Sequence, residues 1–584
     1  MGFSIVIVNG SEPNRVAVED GEWVYAVLQR ERIRIPASCG GQKTCGKCRV
    51  TVRHKGSLDV RLACATFVEE GMIVEVAPEK PLVVCDSGKI SLAAVYPPDF
   101  PLDFSPDCPP EFSPEYPPDF SPDAGAARAA GAAIPSPSLS VPSPSCPNLG
   151  VAVDIGTTTV VARLLDCTSG EMYASVADIN PQVLYGADVL SRIDACTRGN
   201  LAILTSLIRE RLARLIEELL SQAALPDTPA SKIRRIAITG NTIMEHIVAG
   251  LSPESIGVSP FAPLSLFGDE RLLAGLDAPV WLAPTVSGYI GGDIVCGLLA
   301  TGTLGANETF LFIDLGTNGE LALFDGQRIH CCSTAAGPVF EGGGVYFGMP
   351  ALPGAITHVA LSIPEANTQD TLSYFTNADN TAAQGTDACF ELTTIGGIEA
   401  RGLCGTGLIS TVAAFLKSGL IDATGMVQGA QAVDPELACL LGRETVNSQS
   451  QAAIYLTKNR RLFITQGDIR NLQLAKAAVL AGIKTMLEAA CLDVSDVKRV
   501  AIAGAFGAAL DITNASRIGL IPPELSDCAQ SFGNTAIEGI SAALLSSRAR
   551  ADLAALAKRC DYIELSTSLA FNRYFLDCVS FDCR

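Results

Sequence analysis

Val151-Ala152-Val153-Asp154-Ile155-Gly156-Thr157-Thr158-Thr159 is an apolar run that closes on an acid and a glycine–hydroxyl turn. Leu311-Phe312-Ile313-Asp314-Leu315-Gly316-Thr317-Asn318-Gly319-Glu320 repeats the pattern. Such aliphatic runs, bounded by glycine, read as buried strands. At the turn, a glycine lets the backbone come close to a ligand, and N–H groups and hydroxyls can bind phosphate oxygens. Gly156, Thr157, Thr158, Thr159, Gly316, Thr317 and Asn318 are therefore phosphate-binding candidates. Asp154 and Asp314 are placed to hold Mg²⁺, directly or through water. A third run, Val500-Ala501-Ile502-Ala503-Gly504-Ala505-Phe506-Gly507, ends in a glycine turn where Gly504, Phe506 and Gly507 could flank an adenosine. One such turn is ordinary strand chemistry. Three in this order, within an alternation of strands and Ala/Leu-rich helices from residue 148 onward, point to an α/β nucleotide-binding domain.

Upstream, Cys39, Cys45, Cys48 and Cys64 are spaced C-x5-C-x2-C-x15-C. Two strand-like runs (Ser4–Val8, Arg15–Val18) and a helix-like stretch (Glu22–Arg30) precede them, and a strand (Arg49–Arg53) follows. Three thiolates on one glycine-rich loop and a fourth from elsewhere suit a [2Fe–2S] cluster. Backbone N–H groups aimed at its sulfurs would help set the potential. A four-thiolate zinc site is the alternative, but it usually shows two C-x2-C pairs, and here there is one. The remaining cysteines, including Cys331, Cys332, Cys560, Cys578 and Cys583, read as interior thiols.

Between these regions, 15 of the chain's 34 prolines fall in residues 97–147, in tetrads whose third place is always acidic: Asp99, Asp103, Asp107, Glu111, Glu115, Asp119 and Asp123. Proline and like-charge repulsion make this an extended, disordered spacer. The alternative is a docking segment presenting its Phe and Tyr. The expected domains are thus 1–82, an acidic Pro-rich linker 83–147, and 148–584.

The 584 residues carry 42 basic and 62 acidic side chains, a net −20. That excludes a phosphate-backbone partner, so no nucleic acid is expected. Four His leave little room for His-based metal chemistry. The N-terminus shows no basic segment of a secretory signal, and no uncharged apolar run reaches the ~18 residues of a membrane span. The expectation is a cytoplasmic protein without a membrane partner.

The three phosphate and adenosine turns resemble those of the ASKHA superfamily of kinases and chaperone ATPases, in which two ribonuclease-H-like lobes close on ATP. The resemblance implies lobes at about 148–309 and 310–584. It also implies that Gly240-Asn241-Thr242 joins the lobes, with Asn241 at the nucleotide, and that Glu320 orients the attacking water. His246, one turn on, reads as packing. A β-grasp [2Fe–2S] ferredoxin fused to such an ATPase resembles the reductive activators of corrinoid proteins. That likeness extends to Asn180-Pro181-Gln182, Tyr185-Gly186-Ala187-Asp188, Glu341-Gly342-Gly343, Gly402-Leu403-Cys404-Gly405-Thr406-Gly407 and Gln466-Gly467-Asp468-Ile469-Arg470. It implies an ATP-hydrolysing iron–sulfur reductase that returns a Co(II) corrinoid to Co(I). The implied partners are the corrinoid protein of a methyltransferase system and an upstream ferredoxin or flavin reductase, with the chain as a homodimer. Two departures stand out: a shortened loop before Cys64, and acidic tetrads where relatives carry a folded middle domain. Other readings are an electron injector of the 2-hydroxyacyl-CoA dehydratase activator type, a small-molecule kinase, and a redox- and nucleotide-gated binding module without turnover.

Overall fold

A computed structural model describes residues 2–9, 12–31, 33, 35, 48–55, 57–76, 92, 95–99, 148–224, 233–362, 389–446, 449–504 and 510–582. Cys39, Cys45, Phe506, Gly507 and the tetrads beyond Asp99 lie outside the described residues.

The N-terminal unit is a five-stranded sheet of order β2-β1-β5-β3-β4. Its strands are β1 (Gly2–Asn9), β2 (Glu12–Glu19), β3 (Arg49–His54), β4 (Ser57–Leu62) and β5 (Ile73–Val76), with helix α1 (Val24–Arg30) between β2 and β3. Alternation sends Ile5, Ile7, Val16, Val18, Val50, Val52 and Val74 inward against Val24, Val27 and Leu28 of α1. A mixed sheet with a parallel β1–β5 pair, grasping one helix, is the β-grasp arrangement. The loop before Cys64 is short because β3 and β4 pair directly as a tight hairpin, with His54 opposite Ser57.

The rest is built from one motif used twice. The first lobe has β6 (Leu149–Ile155), β7 (Thr159–Asp166), β8 (Met172–Ile179), β9 (Ile233–Gly240), β10 (Glu270–Arg271) and β11 (Val280–Leu282), in order β10-β11-β9-β6-β7-β8. Its helices are α2 (Val189–Ala195), α3 (Leu201–Gln222), α4 (Thr242–Ala249) and α5 (Gly292–Ala300). The second begins with β12 (Phe310–Leu315), β13 (Gly319–Phe324) and β14 (Ile329–Thr334). Two small sheets then insert, from β15 (Ala355–Ser362), β16 (Cys389–Thr394) and β17 (Gly402–Leu403), and from β18 (Leu441–Val446), β19 (Gln449–Tyr455) and β20 (Phe463–Thr465). α6 (Gly405–Ser418) and α7 (Gln466–Ala490) pack on them. The main sheet closes with β21 (Arg499–Ala503), β22 (Ala529–Ser531) and β23 (Cys560–Tyr562), in order β22-β21-β12-β13-β14-β23. α8 (Ile512–Arg517), α9 (Thr535–Leu545), α10 (Ser547–Arg559) and α11 (Leu569–Asp577) complete the lobe.

In each lobe a three-strand antiparallel meander is followed by a strand parallel to its first member. A further parallel strand extends that edge. This duplicated order is the ribonuclease-H-like pattern of the expected architecture. Each lobe has its own core, and a third apolar cluster joins them: Ala152 and Ala237 from one sheet, Phe310 and Phe312 from the other, and Ile294, Leu298, Ile540 and Leu544 of α5 and α9 between. The two helices cross closely enough that a Cβ on Gly539 would lie 2.2 Å from the Cys296 carbonyl oxygen.

Gly240-Asn241-Thr242 does not join the lobes; it turns β9 into α4 inside the first one. The link between lobes is instead the packed pair α5 and α9, because helices that bury apolar faces on both sheets hold them better than a single extended segment.

Candidate nucleotide cleft and metal centre

Both candidate phosphate turns sit at the carboxyl ends of the first strands, Gly156–Thr158 between β6 and β7 and Gly316–Asn318 between β12 and β13. Parallel pairing brings the ends of β9 and β21 beside them, with Ile155 opposite Gly240 and Asp314 opposite Ala503. Four loops from distant sequence thus line one cleft.

In the first turn the Gly156 N–H donates to the Thr159 carbonyl at 2.9 Å. Thr157 is held from two sides: Asn241 Nδ2 donates to its Oγ1 at 3.1 Å, and the Arg192 guanidinium donates to its carbonyl. Asn241 also caps α4 by accepting from the Met244 N–H at 3.0 Å. One side chain therefore sets both the helix start and the turn, which puts the N-terminus of α4 beside the candidate phosphate turn. In the second turn the Gly316 N–H donates to the Asn318 carbonyl at 3.0 Å. Gly504 has φ +110, and a Cβ there would lie 2.2 Å from the Leu315 carbonyl oxygen and 3.0 Å from Asp314 Oδ1. Only glycine lets β21 end this close to Asp314.

The acids face each other across the cleft. Burial, then the Asp154 charge, pushes Asp314 up to about 7; burial alone lifts Asp154 to about 6 against the Asn534 hydrogen bond. Asn534 Nδ2 donates to Asp154 Oδ2 at 2.6 Å and its Oδ1 caps α9. Asp293, in the first turn of α5, joins them: burial, Asp314 and Asp154 raise it to about 8. Glu320 is raised well above the usual carboxylate range by burial and by Asp293 and Asp314, with Asn318 opposing. Crowded carboxylates of this kind have more negative charge than the site can solvate, which a divalent cation would relieve. Among the described residues no three side chains form a ready-made metal cage. Mg²⁺ usually takes one or two carboxylates together with substrate phosphates and water, and Asp154 and Asp314 could supply the carboxylates.

Glu341 bridges the lobes. Its Oε2 accepts from Thr158 Oγ1 at 2.8 Å and from Thr317 Oγ1 at 3.0 Å, so one carboxylate ties the two phosphate turns. Burial raises it, while these hydroxyls and the Arg192 charge pull it down. Arg192 is itself fully buried, and its guanidinium is lowered to about 9 by that burial. It also donates to the Gly186 carbonyl and the Gln182 side chain.

Asp293, Glu341, Arg192, Asn180 and Asn534 were not singled out as site residues from sequence. Asn534 heads a run that fits a capped helix, and Asp293 follows Gly291-Gly292, so a weak signal existed for both. Asn180 and Glu341 lie in segments that carry the family resemblance, but those segments name no role for them; nothing local marks Arg192, and the roles of Arg192 and Glu341 come from partners far away in the chain. His246 is structural: its Nδ1 pairs with the Thr242 carbonyl at 2.7 Å, and its Nε2 accepts from the Leu264 and Ser265 N–H groups.

In the N-terminal unit, Cys48 and Cys64 bring their Sγ atoms to 3.1 Å, both buried. That is beyond a disulfide bond length and suits two thiolates sharing one cluster. The unit rests on the first lobe. Tyr25 of α1 donates its hydroxyl to the Leu184 carbonyl at 3.1 Å, and Gln29 donates to the same oxygen. Leu184 ends a helical turn, Pro181–Leu184, whose preceding Asn180 donates Nδ2 to the Gly156 carbonyl at 2.8 Å. One turn therefore touches both the thiol-bearing unit and the phosphate loop.

Comparison with known proteins places these units. Residues 6–69 match the 2Fe-2S iron-sulfur cluster binding domain. Residues 149–304 match the RACo middle region, and 308–582 match the C-terminal domain of RACo, the ASKHA domain. The middle region thus falls on the first lobe, so the chain carries it after the acidic tetrads, contrary to the departure inferred from sequence. The chain is 33% identical over 439 residues to the corrinoid activation enzyme RamQ of Eubacterium limosum, spanning 73% of this chain and 69% of that protein. It is 27% identical over 448 residues to the [Co(II) methylated amine-specific corrinoid protein] reductase of Methanosarcina barkeri, spanning 73% and 76%. The solved structure of a reductive activator for corrinoid, iron-sulfur protein superposes with a TM-score of 0.63 at 26% identity, covering 99% of this chain and 98% of that one.

Proposed function

Because the chain belongs to the family of reductive activators of corrinoid proteins, we propose that it returns the Co(II) corrinoid of a methyltransferase-system protein to Co(I), using ATP. The observation that carries this reading is the physical continuity between its two halves: the unit holding Cys48 and Cys64 sits on the turn that also braces the Gly156–Thr158 loop. When bound, a [2Fe–2S] cluster supplies one electron at a time.

Cys48 and Cys64, with Cys39 and Cys45 from the adjoining loop, are the ligands in this reading. Thr157, Thr158, Thr159, Thr317 and Asn318 hold phosphates, and Gly156, Gly316 and Asn241 shape the turns. Gly504, Phe506 and Gly507 flank the adenosine. Asp154 and Asp314 hold Mg²⁺, with Asn534 positioning Asp154. Glu320, raised by burial and by Asp293 and Asp314, orients the attacking water. Plant-type clusters near ~ −400 mV do not reduce most Co(II) corrinoids outright. Lobe closure on ATP that favours one corrinoid state shifts that balance. An upstream ferredoxin or flavin reductase reloads the chain, which works as a homodimer in the cytoplasm. No helix among the described residues is long and apolar enough to cross a membrane.

The test is anaerobic: reconstituted chain, a Co(II) corrinoid protein of a methyltransferase system, reductant and ATP. Loss of the Co(II) absorbance that needs ATP, with ATP hydrolysis stimulated by the corrinoid protein, supports the reading. Unchanged absorbance with all components present rejects it.

A further inference from the structure

The acidic Pro-rich stretch contains the same five residues twice. Tyr96-Pro97-Pro98-Asp99-Phe100 recurs, twenty positions on, as Tyr116-Pro117-Pro118-Asp119-Phe120. The first copy is not free chain. Tyr96 is 6% exposed and joins the apolar cluster between the lobes. Its hydroxyl hydrogen-bonds Asp552 of α10 at 3.0 Å, and the Arg548 guanidinium lies over its ring. Asp99 crowns the start of α10: Oδ1 accepts from the Ser547 N–H at 2.7 Å, and Oδ2 accepts from the Ser546 and Ser547 hydroxyls at 3.0 and 2.9 Å. The Asp99 N–H donates to the Leu545 carbonyl, the last residue of α9. A carboxylate at a helix start, meeting an N–H that has no partner within the helix, is a favourable pairing.

Every recognised group of this mooring is present in the second copy. The tyrosine hydroxyl and ring, the aspartate carboxylate and its N–H, and the two prolines between them are identical. The flanks also fit. Leu92, which packs at the edge of the apolar cluster, aligns with Phe112, and Val95, 53% exposed, aligns with Glu115, whose charge would lie in water. We infer that Tyr116–Asp119 is a second occupant of the α9–α10 site, exchanging with Tyr96–Asp99 in the same chain. Exchange moves the anchor point twenty residues along. It lengthens the chain between β5 and the mooring by up to about 70 Å of extended backbone. The N-terminal unit is thereby given a short tether in one register and a long one in the other.

The test reads amide hydrogen exchange at Leu545–Arg548 in the full chain, in four forms: unaltered, Tyr96→Ala/Asp99→Ala, Tyr116→Ala/Asp119→Ala, and all four substitutions together. Exchange at β12 serves as the folding control. If the second copy takes over, the first double variant keeps most of its protection. The second double variant matches the unaltered chain, and the quadruple variant loses at least about tenfold more, the scale of charge-assisted hydrogen bonds. A first double variant already as exposed as the quadruple overturns the inference. So does protection in the first double variant that falls on dilution, which assigns the occupant to another chain. Should β12 lose protection, Tyr96→Phe/Asp99→Asn and Tyr116→Phe/Asp119→Asn give the same comparison with smaller disturbance.

Discussion

At Asp154, Asp314 and Asp293 the protein holds carboxyls at about 6, 7 and 8, against an ordinary value of 3.8. Raised acids mean that the folded chain binds more protons than the unfolded chain above the ordinary carboxylate value. Without a cation, stability therefore falls as pH rises from about 4 toward 8. We expect the melting temperature of the metal-free chain to drop between about pH 5 and pH 8, and Mg²⁺ with ATP to reverse the drop. Asp314→Asn should flatten the metal-free curve and abolish ATP-linked activation, with the visible spectrum of the cluster intact. A melting temperature that climbs over this range would show that the acids are not crowded as described. Asn534→Ala removes the 2.6 Å bond that aims Asp154. Partners of this kind contribute about 10–100-fold to metal affinity, so Mg²⁺–nucleotide binding measured by calorimetry should weaken by that much. Asp154 and Asp314 were legible in sequence because each closes an apolar run, whereas Asp293 follows a Gly-Gly pair and was not. Asn534 lies 380 residues from Asp154 and gave no sign of the pairing.

Among the elements, α1 and the Pro181–Leu184 turn carry the contact between the halves. Tyr25→Phe deletes the hydroxyl given to Leu184 and leaves the buried ring in place. The lost bond is worth about 0.5–1.5 kcal/mol of docking. Electron delivery to the corrinoid protein should slow by several-fold, while ATP hydrolysis without that partner stays the same. Equal loss of both would mean that α1 supports the ATPase lobe rather than the docking. At β21, Gly504→Ala combines a left-handed φ with a 2.2 Å approach to Leu315. It should cost roughly 2–4 kcal/mol of stability by denaturant unfolding. The strands themselves were readable, since a central strand such as β6 is buried at every position and apolar but for Asp154. The helix of the N-terminal unit starts at Val24 rather than Glu22, because Glu22 turns its carboxylate back to the Glu19 N–H. A contact to the preceding strand decides that boundary, and helix periodicity does not see it.

For the whole molecule, α5 and α9 pack between the two like sheets, and Glu341 ties the turn of one to the turn of the other. Glu341→Gln weakens a charge-assisted tie between Thr158 and Thr317. We expect nucleotide-free chain to become more open by small-angle scattering and the ATP-bound form to change little. An unchanged nucleotide-free envelope would remove Glu341 as a tie. The Pro-rich stretch is attached at Asp99 to α10, so its reach is set by where it is moored as well as by how many residues it has.

The sequence by itself determined the elements and their chemistry. Apolar runs that end in Asp-x-Gly-Thr, one Gly-rich cysteine spacing and acidic proline tetrads are local patterns, and local sterics and solvation suffice to read them. Only the tertiary structure decided which residues meet. Glu341 reaches both phosphate turns, Asn534 reaches Asp154, Asp293 enters the acid cluster, Asp99 caps a helix more than 400 residues away, and Tyr25 docks on Leu184. Each pairing joins positions that share no period and no spacing. What fixes them is the burial of two sheets against α5 and α9, and that packing brings distant polar groups to within hydrogen-bond distance only once the chain has closed.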